Sequence, residues 1–378
     1  TASTLCIVTL ALASMHLGAL LGNATSRKKA VCSQQSKGDT APSSSVRVIG
    51  IAMLVASFIP FIVDLKNKLS IVASSGYFGL YQQATLVSFD SIPSIMAAFF
   101  IPGMTFLLAG SKNSRSGQRL ALATVLVYVV LAMFMGLRSA GGYTLVSIAW
   151  LWDRCIHPLP RTMLTVMGGV VVFALFPSIA LIRTVAGIER MTVGYVLQAF
   201  LSINNPAVAI MSEMGGSMAT VAHTLELVPR IRPFDMGASY LYALLTLVPN
   251  AFWSIHPSVG RGKGSHWLVW TVDPATAAVG GGLGFSVIAE AYLNGGWAGV
   301  AAVMWIVGFV VGRLVRRTYS TSDPAMAAAV ACCLPRLLGL ARAESADVVR
   351  AIVWHGVLPY LAVSVLRTFG MKPSGSQD

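Results

Sequence analysis

The chain has 378 residues, of which 55% are hydrophobic and only 11% charged, with a net charge of +13. Soluble domains carry charge on about a quarter of their residues; this balance and a mean hydropathy of +0.72 exclude an ordinary soluble domain and leave an integral membrane protein. The positive charge falls in short loops between apolar runs, where membrane orientation requires it, so no nucleic-acid partner is expected.

Long unbroken apolar runs select helices over a barrel, whose strands would alternate. In chain order they predict spans at 3–22, 48–63, 92–110, 120–137, 139–152, 163–182, 296–312, 325–341 and 351–366. No basic region precedes the first run, which is therefore read as a span and not as a signal peptide. Between the sixth and seventh spans lies a long segment, 183–295, with two semi-apolar stretches, 195–212 and 237–255. They are broken by Asn204-Asn205-Pro206 and Pro249-Asn250 and are expected to lie in or dip into one leaflet. If both crossed, the ends of the chain would keep their sides. The expected fold is all-α: one integral membrane domain over 1–378, a polytopic transmembrane helix bundle of about nine to eleven spans with a large outer segment. The loop 32–45 and the tail 373–378 read as flexible.

Alternate loops sort the basic residues. One side carries the clusters Arg27 to Arg47, Lys112 to Arg119, Arg154 with Arg161, Arg313 to Arg317, and Arg367 with Lys372, all in short loops or the tail. That is where the positive-inside bias acts. The chain is therefore expected to start outside and end in the cytoplasm, with 183–295 facing the periplasm.

Little conventional chemistry is present. Cys6, Cys32, Cys155, Cys332 and Cys333 show no metal-ligand spacing, so neither disulfide nor zinc is expected. Gly260-Arg-Gly-Lys-Gly-Ser265 places its Lys before the last Gly and is no phosphate loop, and there is no metal-dependent nucleotide-sugar motif, HExxH or GxSxG. No cofactor or metal is expected. What remains is an outer segment rich in Arg, Glu, Tyr and Asn.

Three blocks in that segment carry a resemblance: Glu213-Met-Gly-Gly-Ser217; Gly237-Ala-Ser-Tyr240 leading to Pro249-Asn250; and Gly282-Leu-Gly-Phe-Ser286-Val-Ile-Ala-Glu290-Ala-Tyr292-Leu-Asn294. Their order and spacing resemble the bacterial O-antigen polymerase (Wzy, oligosaccharide repeat unit polymerase) family. Weaker similarity lies at Gly76-Tyr77 with Leu80-Tyr81, Gly136-Leu-Arg138-Ser139, and Arg342-Ala-Glu-Ser345. Gly295 departs from the family, which often has Phe there. The resemblance implies transfer of an undecaprenyl-pyrophosphate-linked glycan, from its reducing end, onto another lipid-linked repeat at the periplasmic face of the bacterial inner membrane. It implies membrane lipid and a chain-length regulator protein as partners. The leaving group is itself a pyrophosphate, which fits the missing nucleotide motifs.

On this basis Glu290 is the first candidate for general base, since a carboxylate beside an apolar span is hard to keep charged. Glu213 is the second. The alternative for Glu290 is a helix N-terminal carboxylate that satisfies free amides. Arg138, Arg183, Arg336 and Arg342 are the candidates for pyrophosphate, through paired charge-assisted hydrogen bonds. Arg138 has lipid snorkelling as its rival, and Arg336 sits inside an apolar run where charge is costly. Arg183 with Gly194 matches a spacing described for some polymerases of this class, but two such pairs occur and chance expects as many. Tyr240, Ser286, Tyr292 and Asn294 are candidates for substrate binding, with interface anchoring as the common fate of Tyr. The glycines at 280–284 are expected to turn the backbone into a helix, and His223, His256 and His266 to be structural. The rival functions are an O-antigen ligase-like transferase and a secondary transporter; a transporter should show repeats and central carboxylates, and neither is found.

Overall fold

Apolar segments of this length become helices because lipid offers their backbone no other hydrogen-bond partner. The structure is a computed structural model and describes residues 2–24, 43–82, 92–170 and 192–370, apart from 193, 195–196, 199–200, 203–204, 250–252 and 254–255. Every regular element among the described residues is helical. In chain order they are α1 (Ala2–Ala24), α2 (Ser43–Gln82), α3 (Ile92–Ala97), α4 (Phe100–Ala109), α5 (Arg115–Phe134), α6 (Arg138–Cys155), α7 (Arg161–Val170) and α8 (Pro206–Leu227). Then follow α9 (Ala238–Leu245), α10 (Pro257–Arg261), α11 (Gly264–Val272), α12 (Pro274–Ala278), α13 (Val287–Ser320), α14 (Pro324–Leu338), a 3-10 turn (Leu340–Arg342), α15 (Ser345–Ile352), a π turn (Val353–Val357) and α16 (Leu358–Gly370).

Seven helical stretches of the described residues are long and apolar enough to cross a membrane: α1, α2, α3–α4, α5, α13, α14 with its 3-10 turn, and α15–α16. They match seven of the predicted spans. The fifth predicted span, at 139–152, is a helix of 18 residues, α6, that falls short of that apolarity. The reason is physical: its polar and small residues face protein, not lipid. Gly141, Gly142, Thr144 and Ser147 are buried, and the Ser147 hydroxyl donates to the Ala331 carbonyl of α14. Of the stretch predicted at 163–182, only the part within Arg161–Val170 is described.

Two boundaries differ from expectation. Helix α2 continues past residue 63 to Gln82, with Asp64 and Lys68 paired at 2.6 Å at the start of this continuation and a break at Gly76. The Asn204-Asn205-Pro206 break is the start of a helix: Asn205 accepts from the Val208 amide at 3.2 Å, and Pro206 occupies the first helical position, where its missing N–H costs nothing. Helix α8 then runs 22 residues, through Gly215 and Gly216. Among the described residues of 237–255 only α9 is regular, and its 8 residues span about 12 Å, far short of a bilayer core of about 30 Å.

Helix α13, 34 residues long, is anchored by close backbone approach. Helices α1 and α13 run parallel, with Met15 against Gly308 and Ala19 against Gly312, while Gly18 meets Trp305 and Phe309 and Gly22 meets Phe309 and Arg313. Each helix contributes glycines four residues apart, and a methyl on Gly18 or Gly308 would run into the carbonyl of Trp305 or Met15. Small residues at this spacing let helices pack backbone to backbone in lipid, where no hydrophobic force drives them together. Helices α2 and α4 pack antiparallel, Gly50 against Leu107 and Leu54 against Gly103, with the rings of Phe61 and Phe100 stacked at 4.0 Å.

These pairings sort the loops onto two ends. At one end Arg154 donates to the carbonyls of Thr318 (2.9 Å) and Thr321 (3.0 Å), Arg316 donates to the Asn23 carbonyl, and Arg367 pairs with Asp323 at 2.9 Å. The other end gathers the described residues of 235–294 and the 342–350 connection.

Candidate active site

At the second end the glycine-rich stretch makes the turn expected of it. Gly280 and Gly284 take positive φ of 78° and 77°, and the chain then enters α13. Gly284 is needed for its positive φ, and Arg342 packs over it, with Nε 3.5 Å from where a Cβ would be. Ser286 caps the new helix, accepting from the Ile288 amide at 3.1 Å, and is buried. The helix breaks again at Gly295 and Gly296, the latter at φ 58° beneath the Phe234 ring. Residues 287–294 thus form a separate short turn of helix in front of the membrane-crossing part.

Glu290 sits on that turn and is 1% exposed. Its carboxylate accepts from the Ser239 hydroxyl (2.7 Å), the Ser345 hydroxyl (2.6 Å) and the Ser345 amide (2.7 Å). Ser345 is the first residue of α15, so Glu290 caps a helix other than its own. A carboxylate suits that place, since a helix N-terminus carries unpaired amides and partial positive charge. Asn294 completes the tie: its amide donates to the Ser239 hydroxyl (2.7 Å) and to the Glu290 carbonyl (2.8 Å), while its oxygen accepts from the Gly237 amide (2.9 Å). Together with a bond from the Asp235 amide to the Leu293 carbonyl (2.9 Å), this laces 235–239 along 290–294.

A second buried carboxylate repeats the arrangement. Glu344, the residue before α15, accepts from the Gly264 amide (2.9 Å) and the Ser265 hydroxyl (2.6 Å) at the start of α11. Burial pushes the Glu344 carboxyl above its ordinary range, partly countered by the Ser265 hydrogen bond. Lys263 alongside pairs with Asp347. Burial alone would lower the Lys263 pKa, but Asp347 and Glu344 raise it above the usual value, with Arg336 opposing them.

The other candidates fall as follows. The Tyr240 hydroxyl is buried with no hydrogen-bond partner among the described residues, and burial together with the nearby Glu290 charge raises its pKa. Tyr292 is buried edge-on to the Phe234 ring, with centroids 5.9 Å apart. Arg342 is exposed and lies over Gly284. Arg336 is in the last turn of α14, at the end of the apolar run and not in its middle. Arg138 opens α6 after Gly136, at φ 83°, and belongs to the same end, because Tyr143 one turn on packs against Gly339. Glu213 lies on α8, its side chain outside the described set, and Arg183 lies outside the described residues altogether. His256 is held as a cap, its Nε2 donating to the Val248 carbonyl while Nδ1 accepts from the Ser258 amide; His266 accepts from Trp270.

Ser239, Ser345, Glu344 and Ser265 were not candidates on sequence. Ser239 and Ser345 nevertheless sit inside blocks already singled out, Gly237–Tyr240 and Arg342–Ser345. Those two blocks and the Gly282–Asn294 block meet through Glu290.

The fold and this site define a multi-pass helical membrane protein whose polar centre is assembled at one end, from loops and helix starts. A family model of the O-antigen polysaccharide polymerase Wzy matches residues 1–373. The chain belongs to that family and is a membrane O-antigen polymerase of polysaccharide biosynthesis, as its blocks at 213–217, 237–250 and 282–294 indicated. No curated protein and no solved structure matches it.

Proposed function

We propose that the chain joins oligosaccharide repeat units carried on undecaprenyl pyrophosphate, at the periplasmic face of the bacterial inner membrane, and that Glu290 is the general base. The observation that carries this reading is the meeting of three separate sequence blocks on one buried carboxylate. In the reaction a hydroxyl of the acceptor sugar attacks the anomeric carbon of the donor. A new C–O bond forms, the bond from that carbon to the pyrophosphate oxygen breaks, and the proton passes to Glu290 while the lipid pyrophosphate departs with the electron pair. No nucleotide or ATP enters the balance. For Glu290 to take that proton, an incoming sugar hydroxyl replaces one of the two serine hydroxyls that now donate to Oε1. The unpartnered Tyr240 hydroxyl and the Asn294 amide flank the position where the sugar would sit, and Arg138, Arg336 and Arg342 supply positive charge at the same end. Glu213 is the alternative base.

Deletion in the source cell followed by gel electrophoresis of its surface glycan tests the activity. Loss of the ladder with single repeats still attached is expected, and loss of every attached repeat would assign the chain as a ligase instead. Reporter fusions active only after export test the face: signal at Gly260 and none at Asn113 is expected, and the reverse would move the chemistry to the cytoplasmic side.

A further inference from the structure

The side-chain cluster around Asp235 has a stoichiometry that a structural ion pair does not need. One carboxylate holds two guanidinium groups: Arg232 Nη2 lies 3.0 and 3.2 Å from its two oxygens, and Arg261 Nη2 donates to Oδ2. Each guanidinium also lies over an aromatic ring, Arg232 over Trp267 and Arg261 over Tyr242, both 4.8 Å from the ring centroid. Ring and carboxylate together fix the plane and the roll of each group, which ordinary surface arginines lack. Both arginines spend only Nη2 on protein acceptors. The Nε and Nη1 donors of each have no protein partner among the described residues, and the side chains keep 24% and 19% of their exposure. The cluster is thus a preorganised pair of guanidinium groups with one net positive charge, partly exposed and with donors to spare.

We propose that Arg232 and Arg261 form a cradle for the diphosphate of a polyprenyl diphosphate. The proposal rests on the polymerase reading and gives its donor a specific seat, on residues other than the four arginines considered from sequence. Two fixed guanidinium groups match a ligand with two linked phosphates, because each can donate charge-assisted hydrogen bonds to one phosphate. A single phosphodiester lipid headgroup engages one of them and leaves the other unused. The position is right for a leaving group: the 235–239 segment is laced along 290–294 by the Asp235–Leu293, Gly237–Asn294 and Ser239–Glu290 bonds. The cradle and the proposed base are therefore held by one short stretch, on separate side chains, as attack and departure at the same carbon demand.

The test uses the purified full chain in detergent micelles, with farnesyl diphosphate as probe and inorganic pyrophosphate and farnesyl monophosphate as parallel arms. Arg232→Gln and Arg261→Gln should each weaken farnesyl diphosphate binding about tenfold or more, with inorganic pyrophosphate following the same order at lower affinity. Arg232→Lys and Arg261→Lys, which keep the charge beside Asp235, should lose affinity several-fold and serve where a Gln variant fails to fold. Lys68→Gln, which removes an exposed charge on α2, should bind as the parent does. Parent-like binding by both Gln variants, equal affinity for monophosphate and diphosphate, or equal displacement by phosphatidylglycerol would overturn the cradle. The polymerase reading is decided separately by the glycan ladder. A chain that restores the ladder while its arginine variants bind the probe normally overturns the cradle alone.

Discussion

The two ends of the bundle use charge in opposite ways. At the Arg154–Asp323 end, arginines reach out to carbonyls and one carboxylate at helix termini, Arg154 to Thr318 and Thr321 and Arg367 to Asp323, which fastens the ends of helices. At the Glu290 end two carboxylates, Glu290 and Glu344, are buried, and each is met by a hydroxyl and an amide from a distant part of the chain. The first arrangement asks only for a cation near a helix C-terminus. The second carries a desolvation cost that nothing in a simple membrane anchor requires. Buried polar groups assembled at one end and ordinary fastening at the other are what a site and its foot should look like.

The largest predicted effect comes from breaking the shaft between the ends. Gly308→Leu forces side-chain atoms into the Met15 backbone and should cost about 1–3 kcal/mol or more, because neither helix can yield without losing its neighbour. A large drop in thermal midpoint in detergent is expected, whereas Gly168→Ala, which meets nothing within 4 Å among the described residues, should not lower it. An unshifted Gly308→Leu would mean that α1 and α13 do not pack backbone to backbone.

Next in size is Glu344→Ala. It leaves the Gly264 amide and the Ser265 hydroxyl without their partner, at about 1–3 kcal/mol for the buried unsatisfied groups. Lys68→Ala, which breaks a half-exposed pair with Asp64, should cost under about 1 kcal/mol. Equal losses in the two variants would erase the contrast between buried and exposed charge.

Smaller still is the pH response of Glu344. Burial raises its pKa in the folded state, so the folded chain holds that proton more tightly than the unfolded chain does. For this group stability is greatest below the unfolded pKa and falls as pH rises through the window up to the raised folded pKa. Glu344→Gln should remove that fall while keeping an acceptor for Gly264, so its midpoint should gain on the parent as pH rises from the unfolded carboxylate range toward neutral. A constant gap between the two across that range would show that the Glu344 carboxyl is not held above its ordinary value.

The spans were legible because lipid selects on apolar length, and seven of the nine predicted runs stand as helices of that kind. Helix α6 was legible only as an apolar stretch; its buried Thr144 and Ser147 are read as polar by composition but are hidden from lipid by α14. Pro206 misled in the other direction, since the residue that breaks a helix from within also starts one, and only the Asn205 cap decides between them. At the site, Glu290, Asn294 and Tyr240 stood out because their blocks resembled a family. Ser345 and Glu344 did not stand out as partners, because a helix capped from 55 residues away leaves no local pattern around either participant. The alternative considered for Glu290, capping its own helix, was close: it caps a helix start, but that of α15.

That cross-element cap makes one substitution decisive. In Glu290→Gln the side-chain oxygen can accept from the Ser345 amide while the new amide donates to the Ser239 and Ser345 hydroxyls, which can rotate to receive it. The helix start stays held and only proton acceptance is lost, so stability and activity separate. Glu290→Ala should lose both. The measurement is the glycan ladder of a deletion strain carrying Glu290→Gln, alongside the thermal midpoint of the purified variant. The expected result is a near-parental midpoint with no ladder, a loss of about a hundredfold or more in chain extension. A normal ladder from a stably folded Gln variant would contradict the account: Glu290 would be a cap alone, and Glu213 would be the next carboxylate to test.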